Sequence, residues 1–213
     1  APGCGETSLH RNADFRIGAA LNTEKLKFEE KYWTVALEHF NSFTPEKIMK
    51  PRYLQPQQNA FDFSELDHLM PFCRDKNIRI HGHTLVWHKE LPAWMEKFSG
   101  DQAAWDTLLK KHIHTIIWHC RDNIKSWDVV NEAFEDDGSL RKNVWLEHIG
   151  PSYIEKAFRY AQEGNPDALL FYNDYGLEQN GPKLRSVLGH LRKLIEVFEE
   201  KARKQAPPPP TPH

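Results

Sequence analysis

Two adjacent residues raise the question of chemistry first. The run "WDVVNE" (127–132) is mostly apolar up to Val130, then ends in an amide and a carboxylate, Asn131 and Glu132, ahead of an acidic loop. A carboxyl in a partly apolar mouth has its neutral form favoured, which suits a general acid. The plainer alternative is a strand-end carboxylate that caps the next turn or pairs with a lysine. Upstream, "HGHTLVWH" (81–88) places His81 and His83 on one face of a strand, because strand side chains alternate. Two such imidazoles could bind a metal, as in a metal-dependent hydrolase. Otherwise one is packed or hydrogen-bonded in the core and the other meets solvent. "FTPEKIMK" (43–50) sets Glu46 and Lys50 four apart, the spacing of an ordinary surface ion pair on a helix. "YNDYGLE" (172–178) offers Asn173, Asp174 and Tyr175, for which a plain turn is an adequate reading.

These residues need elements to carry them, and the chain alternates short β-like runs with helical ones. Strands are expected at 15–22, 39–44, 78–87, 124–132 and 168–174. A helix over 24–37 would bury Leu26, Tyr32, Trp33 and Leu37. A second, at 63–77, would open at Ser64 with Asp67 in a variant capping box and restart or kink at Pro71. Trp105, Leu108, Leu109, His112, Ile113, Ile116, Ile117 and Cys120 mark the clearest helix, and another at 152–164 stops at Gly164. The last, about 183–204, carries Leu184, Val187, Leu188, Leu191, Leu194, Ile195 and Phe198 as its apolar stripe. The domain is expected to span 1–204, and the Pro-rich 205–213 to be a disordered tail.

Five strand–helix units imply a parallel sheet, either doubly wound and open or part of a (β/α)₈ barrel. No Gly-rich phosphate loop follows the first strand, which weakens a nucleotide-binding version. Either way chemistry is expected at the strands' C-terminal ends, where Asn41, His83, Trp87, Asn131, Glu132, Asn173 and Asp174 fall.

Composition removes several function classes. At 213 residues the chain fits one domain with a real core, and a net charge of −2 gives no electrostatic case for nucleic acid or a membrane surface. No apolar run of membrane-spanning length occurs. Twelve histidines would raise the charge in mild acid, and seven Trp suit a core or a sugar-binding cleft. Cys4, Cys73 and Cys120 show no close metal-ligand spacing and read as free, or as one fortuitous pair. The chain opens "APGCGETSL", without a basic and apolar leader, so it is either a mature form or one that never had a signal.

Taken together, "FTPEKIMK", "GHTLVWH…LPAW", "WDVVNEAF" and "FYNDYGLE", in that order, resemble glycoside hydrolase family 10, the endo-1,4-β-xylanases. The similarity runs from about Ile17 to about Leu191. The resemblance implies a TIM (β/α)₈ barrel and retaining hydrolysis of β-1,4-xylan or xylo-oligosaccharides, without metal or organic cofactor. On that basis Glu132 matches the proton donor (acid/base), and Asn131 binds the 2-hydroxyl of the sugar under attack. His83 and Trp87 hold that sugar, Glu46 and Lys50 hold the next one, and Asn173 and Tyr175 line the cleft. The resemblance also implies a secreted or periplasmic protein.

The sequence departs from the family pattern in places. Lys47 stands where Asn is usual, Pro51 where Trp is usual, Glu90 where Gln is frequent and Gly176 where Asn is common. No Thr-Glu-Leu-Asp-like segment carrying the nucleophile follows Tyr175, and Glu196, Glu199 and Glu200 read as a solvated helix face. The expectation is therefore a barrel truncated to about five βα units. Its first and fifth strands would be free to self-associate. Its own activity would be impaired, or it would be a non-catalytic xylan-binding remnant.

Overall fold

The computed structural model describes residues 8–205, with side chains to 200. Gly18–Leu21 forms strand β1, followed by helices α1 (Thr23–Phe28) and α2 (Glu30–His39) and by strand β2 (Ser42–Pro45). Next come α3 (Pro51–Leu54), α4 (Ser64–Asp75), β3 (Arg79–Val86), α5 (Ala93–Glu96) and α6 (Gln102–Cys120). β4 (Ile124–Asn131), α7 (Val144–Ile149), α8 (Tyr153–Gly164), β5 (Leu169–Asn173) and α9 (Pro182–Gln205) complete the described chain.

The five strands are all parallel and lie in sequence order, β1-β2-β3-β4-β5. A doubly wound sheet reverses its strand order at a switch point, whereas a (β/α)₈ barrel adds each strand beside the last. The unbroken order decides between the two expected architectures in favour of successive βα units of a barrel. Residues up to Asn131 together with 142–173 form one compact unit, and 132–141 with the chain from Asp174 onward form a second. Every strand belongs to the first unit.

Burial explains why these runs became strands and helices. β4 buries all its residues but Lys125, as expected of a parallel strand covered on both faces. Ile80, Leu85, Ile124, Trp127 and Val129 of the sheet, and Leu66, Met70, Leu109, Ile113 and Ile116 of the helices, are all buried. Each such side chain removed from water contributes about 1.5–3 kcal/mol. α6 follows its expected stripe except at half-buried Leu108, and starts where Asp101 accepts a hydrogen bond from Ala104 N at 2.9 Å. Within α6, His112 is fully buried, with its ring nitrogens 2.7 Å from Gln55 Oε1 and 3.1 Å from the Leu85 carbonyl, and burial pushes it down to about 4. It is therefore neutral, and it ties α6 to the back of β3.

Several expectations need correction. The single helix at 24–37 is two, broken at Glu29, because Asn22 N donates to Tyr32 Oη at 3.0 Å and draws the second helix back to the end of β1. Ala36 is the buried residue of α2, while Trp33 is 38% exposed. His39 still belongs to α2, so β2 begins only at Ser42 and Asn41 lies at its N-terminal end, away from the expected site. There Asn41 Oδ1 accepts from Ile17 N at 2.9 Å, a structural role. Ser64 does not form a capping box; Asp62 accepts from both its backbone N and its hydroxyl. α4 passes through Pro71 without interruption, with Leu66, Leu69, Met70 and Cys73 buried along one face. In α9, Val187 and Leu194 are buried but Leu188 and Ile195 are exposed, a narrower stripe than expected.

Cys73 and Cys120 are buried and unpaired, and burial pushes both thiols up to about 12, while Cys4 lies outside the described residues. So does the expected tail, apart from Gln205, which closes α9. Among the described residues no helix is long and apolar enough to cross a membrane.

Gly82 marks the tightest point of the sheet. A Cβ there would stand 2.2 Å from Trp127 Cε3, and Trp127 is fully buried. Gly82→Ala should therefore destabilise the chain by roughly 1–3 kcal/mol, the usual cost of overpacking a full core. Urea denaturation would show it as a lowered midpoint, and an unchanged midpoint would mean the Trp127 ring is free to shift.

Candidate active site

The site begins with a charge placed deep in the sheet. Asp128 on β4 faces His81 and His83 on β3, and both of its oxygens are occupied. Oδ1 lies 3.0 Å from His81 Nε2, and Oδ2 lies 2.8 Å from His83 Nδ1. The register pairs His83 directly with Asp128. His81 Nδ1 lies 2.8 Å from Ser126 Oγ, and Thr84 Oγ1 donates to the Asp128 carbonyl at 3.0 Å. Burial alone would push the Asp128 carboxyl up, but the hydrogen bonds from His81 and His83 outweigh it and hold the group below its ordinary range. Asp128 is therefore ionised and accepts from two imidazoles. With Nδ1–H committed to Asp128, Nε2 is the ring nitrogen of His83 left for a further partner.

His81 and His83 do share a face, but a carboxylate across the sheet engages both. Among the described residues no group of three or more His, Cys, Asp or Glu side chains is arranged to hold a metal ion.

Above this network β3 leads into Trp87, whose backbone carbonyl accepts from Trp145 Nε1 of α7 at 3.0 Å. Its indole N–H can only donate, so the Asn131 amide turns its oxygen to Trp87 Nε1 at 3.1 Å. The Asn131 amide nitrogen then donates to the Asn173 backbone carbonyl at 3.1 Å and lies 2.8 Å from Asn173 Nδ2. Asn131 and Asn173 are register partners on β4 and β5, which is why their amides lie close together. Lys50 Nζ stands 5.0 Å from the centroid of the Trp87 ring, and Lys89 Nζ stands 5.7 Å from it. The unit thus brings Lys50, His83, Trp87, Asn131 and Asn173 to the C-terminal ends of β2–β5.

Glu46 is exposed at the end of β2, its backbone N donating to Leu21 O of β1 at 3.0 Å. The expected surface ion pair with Lys50 is not formed among the described residues. Lys47 is exposed and borders a recess of about 370 Å³ with Phe28, Ile48 and Tyr53. The departures at 51 and 90 fit one another. Pro51 opens α3, and the adjacent Arg52 reaches Glu90 through its guanidinium at 3.1 Å and its backbone N–H at 2.9 Å. Gly176 has φ +73°, a conformation glycine adopts without strain.

Glu132 is the first residue of the second unit. It leaves the strand at φ +53°, in the left-handed region, and its carbonyl accepts from Arg141 Nε at 3.0 Å. Arg141 also donates to the Phe134 carbonyl at 3.1 Å and to Tyr175 Oη at 2.9 Å, and pairs with Glu135 at 3.0 Å. One guanidinium therefore clamps the backbone around Glu132 and the ring of Tyr175. Lys183, buried in α9, pairs with Asp174 at 3.0 Å and lies 3.5 Å from the Tyr175 ring centroid.

Asp128, His81, Arg141, Lys89 and Lys183 carry positioning contacts that the sequence did not assign. The signal for Asp128 was present, since an acid inside an apolar strand needs a partner. Its two occupied oxygens also mark it as a positioning carboxylate and not as an attacking one.

Because the Asp128 carboxyl is held low, the stability it adds is present above its unfolded value near 3.9 and is lost as pH falls below that value. Asp128→Asn should cost roughly 1–3 kcal/mol at pH 7, and this difference should shrink as pH drops below 4. Urea titrations of both proteins at pH 7 and pH 3 read this directly. A difference independent of pH would show that the ionised form adds nothing.

Known proteins resemble this chain in sequence and in fold along most of its length. The family profile described as Glycosyl hydrolase family 10 matches residues 7–200. Endo-1,4-beta-xylanase B of Thermotoga neapolitana is 38% identical over 185 residues, 87% of this chain and 54% of that protein. Endo-1,4-beta-xylanase A of Caldicellulosiruptor sp. (strain Rt8B.4) is 44% identical over 195 residues, 86% of this chain and 28% of that one. Xylanase 10B from Thermotoga petrophila RKU-1, solved in complex with xylobiose, superposes with a TM-score of 0.84 at 39% identity. That match covers 90% of this chain and 60% of the other, so the chain spans at most about three-fifths of these relatives. With nearly its whole described length matched, the chain belongs to glycosyl hydrolase family 10.

Proposed function

We propose that the chain grips β-1,4-linked xylan or xylo-oligosaccharides and carries the proton donor of a retaining endo-1,4-β-xylanase. The observation that supports this reading best is Asn131. Its amide is fixed by the Trp87 indole N–H and the Asn173 backbone carbonyl, one residue before Glu132. A fixed amide can orient a sugar hydroxyl while the neighbouring carboxylic acid protonates the leaving oxygen. His83 through Nε2, Glu46 and Lys50 add polar contacts, and the ring of Trp87 supplies a flat wall for a sugar face.

Retaining hydrolysis needs a second carboxylate about 5–5.5 Å from the first to attack the anomeric carbon. Asp128 is held by two imidazoles and does not fit that role, and no other described carboxylate is assigned to it. On this reading the 213-residue chain binds its sugar but turns it over slowly or not at all. Its place of work is outside the cytoplasm, where the polymer is. Copies also associate through β1 and β5, which among the described residues each pair with one neighbour; on β5, Leu169 is 62% and Phe171 45% exposed.

Calorimetry with xylohexaose tests the proposal. Saturable heat is expected without release of reducing sugar, and Trp87→Ala should weaken binding by roughly tenfold, about 1.4 kcal/mol. Sedimentation of the same sample should show species heavier than one chain. Absence of heat at millimolar sugar would sink the binding reading. Fast hydrolysis abolished by Glu132→Gln would show that the chain holds a nucleophile after all.

A further inference from the structure

We infer that His81 is a positioning residue for the sugar-binding His83, acting through the carboxylate of Asp128. The inference rests on the proposed role of His83 and adds a residue to which no part in binding has been given.

A carboxylate turns easily about its terminal torsion, which is broad and roughly two-fold. A single hydrogen bond from His83 Nδ1 to Oδ2 would leave that plane loosely set. His81 removes the freedom by engaging the other oxygen, its Nε2 standing 3.0 Å from Oδ1. His81 is itself anchored twice. Its Nδ1 lies 2.8 Å from Ser126 Oγ, and its ring meets Phe171 of β5 edge-on, with centroids 5.6 Å apart.

The proton positions follow from the partners. An ionised carboxylate can only accept, so His81 carries its proton on Nε2 and His83 carries its proton on Nδ1. In neutral His81 the Ser126 hydroxyl then donates to Nδ1. His83 is thereby left with Nε2 as an acceptor for a sugar hydroxyl, a tautomer set two residues away from the ligand. This is the logic by which a group behind a histidine fixes which ring nitrogen works in front.

Among the described residues His81 is the donor to Asp128 Oδ1. On β3, Arg79 is the other charged residue of the same face, and its Nε donates to Ser42 Oγ of β2 at 3.0 Å. From β4 the facing groups are Ser126 and Asp128, and from β5 the facing group is Phe171. Loss of His81 would leave a largely buried carboxylate oxygen without its donor and the His83 ring without a fixed counterpart.

The test uses the full chain and reads the His83 ring by nitrogen-15 NMR together with xylohexaose affinity. His81→Gln places an amide N–H near the position of Nε2, whereas His81→Leu fills space and donates nothing. His81→Ala, which donates nothing, serves as a second donor-free variant should the leucine protein fail to fold. The native chain and His81→Gln should both show His83 protonated on Nδ1, with affinities within about threefold. The donor-free variants should show a mixture of His83 tautomers and roughly tenfold weaker binding, the scale usual for losing a histidine's orienting partner. A His83 signal in a folded donor-free variant identical to that of the native chain would overturn the inference. If the native chain shows the fixed tautomer but binds no xylohexaose, the sugar-binding role of His83 fails while the tautomer comparison still decides the role of His81.

Discussion

The structure turns on one buried carboxylate shared between two histidines. Asp128 stands inside the sheet, where an unpaired charge would be costly, and it is tolerated because each oxygen accepts a hydrogen bond from an imidazole. Those bonds run between β3 and β4, so they fix the relative height of the strands that end in Trp87 and Asn131. Gly82, one residue before His83, lets the two strands close over the Trp127 ring. A change in this layer would move the histidines and the strand ends together. Packing and hydrogen bonding thus specify the same register, and the polar residues at the C-terminal ends inherit it.

The end of β4 shows how strain is placed where chemistry is expected. Asn131 is still a strand residue, paired with Asn173, while Glu132 has already turned into the left-handed region. A non-glycine residue held there costs on the order of 1 kcal/mol and persists only if its surroundings hold it. Arg141 does so within the second unit, gripping the Glu132 and Phe134 carbonyls and Tyr175 Oη. Consecutive residues thus leave the strand on different backbone geometry, Asn131 extended and Glu132 left-handed.

Much of this was legible in the sequence, for physical reasons that differ by element. β4 read as a strand because a parallel strand buried on both faces is an apolar run, and α6 read as a helix because its stripe recurs at helical spacing. The chemistry-bearing residues stood out where apolar runs ended in Asn131-Glu132 and Asn173-Asp174. What failed depended on contacts far apart in the chain. The break at Glu29 comes from Tyr32 accepting a bond from the end of β1, with no glycine or proline to announce it. Asn41 was misplaced because His39, part of an apolar-looking run, still belongs to α2. Alternation put His81 and His83 on one face correctly but said nothing of what lay opposite. Their partner, Asp128, lies 45 residues beyond His83.

The central claim is that Asp128 holds the proposed sugar-binding surface at the ends of β3, β4 and β5. The most direct measurement is a chemical-shift titration of the full chain with xylohexaose, following side-chain as well as backbone signals. The account predicts that the Trp87 indole N–H, the side-chain amides of Asn131 and Asn173 and the His83 ring shift together along one saturable curve. Saturable shifts confined to other surfaces, such as the recess beside Phe28 and Tyr53, with those four signals unmoved, would contradict it.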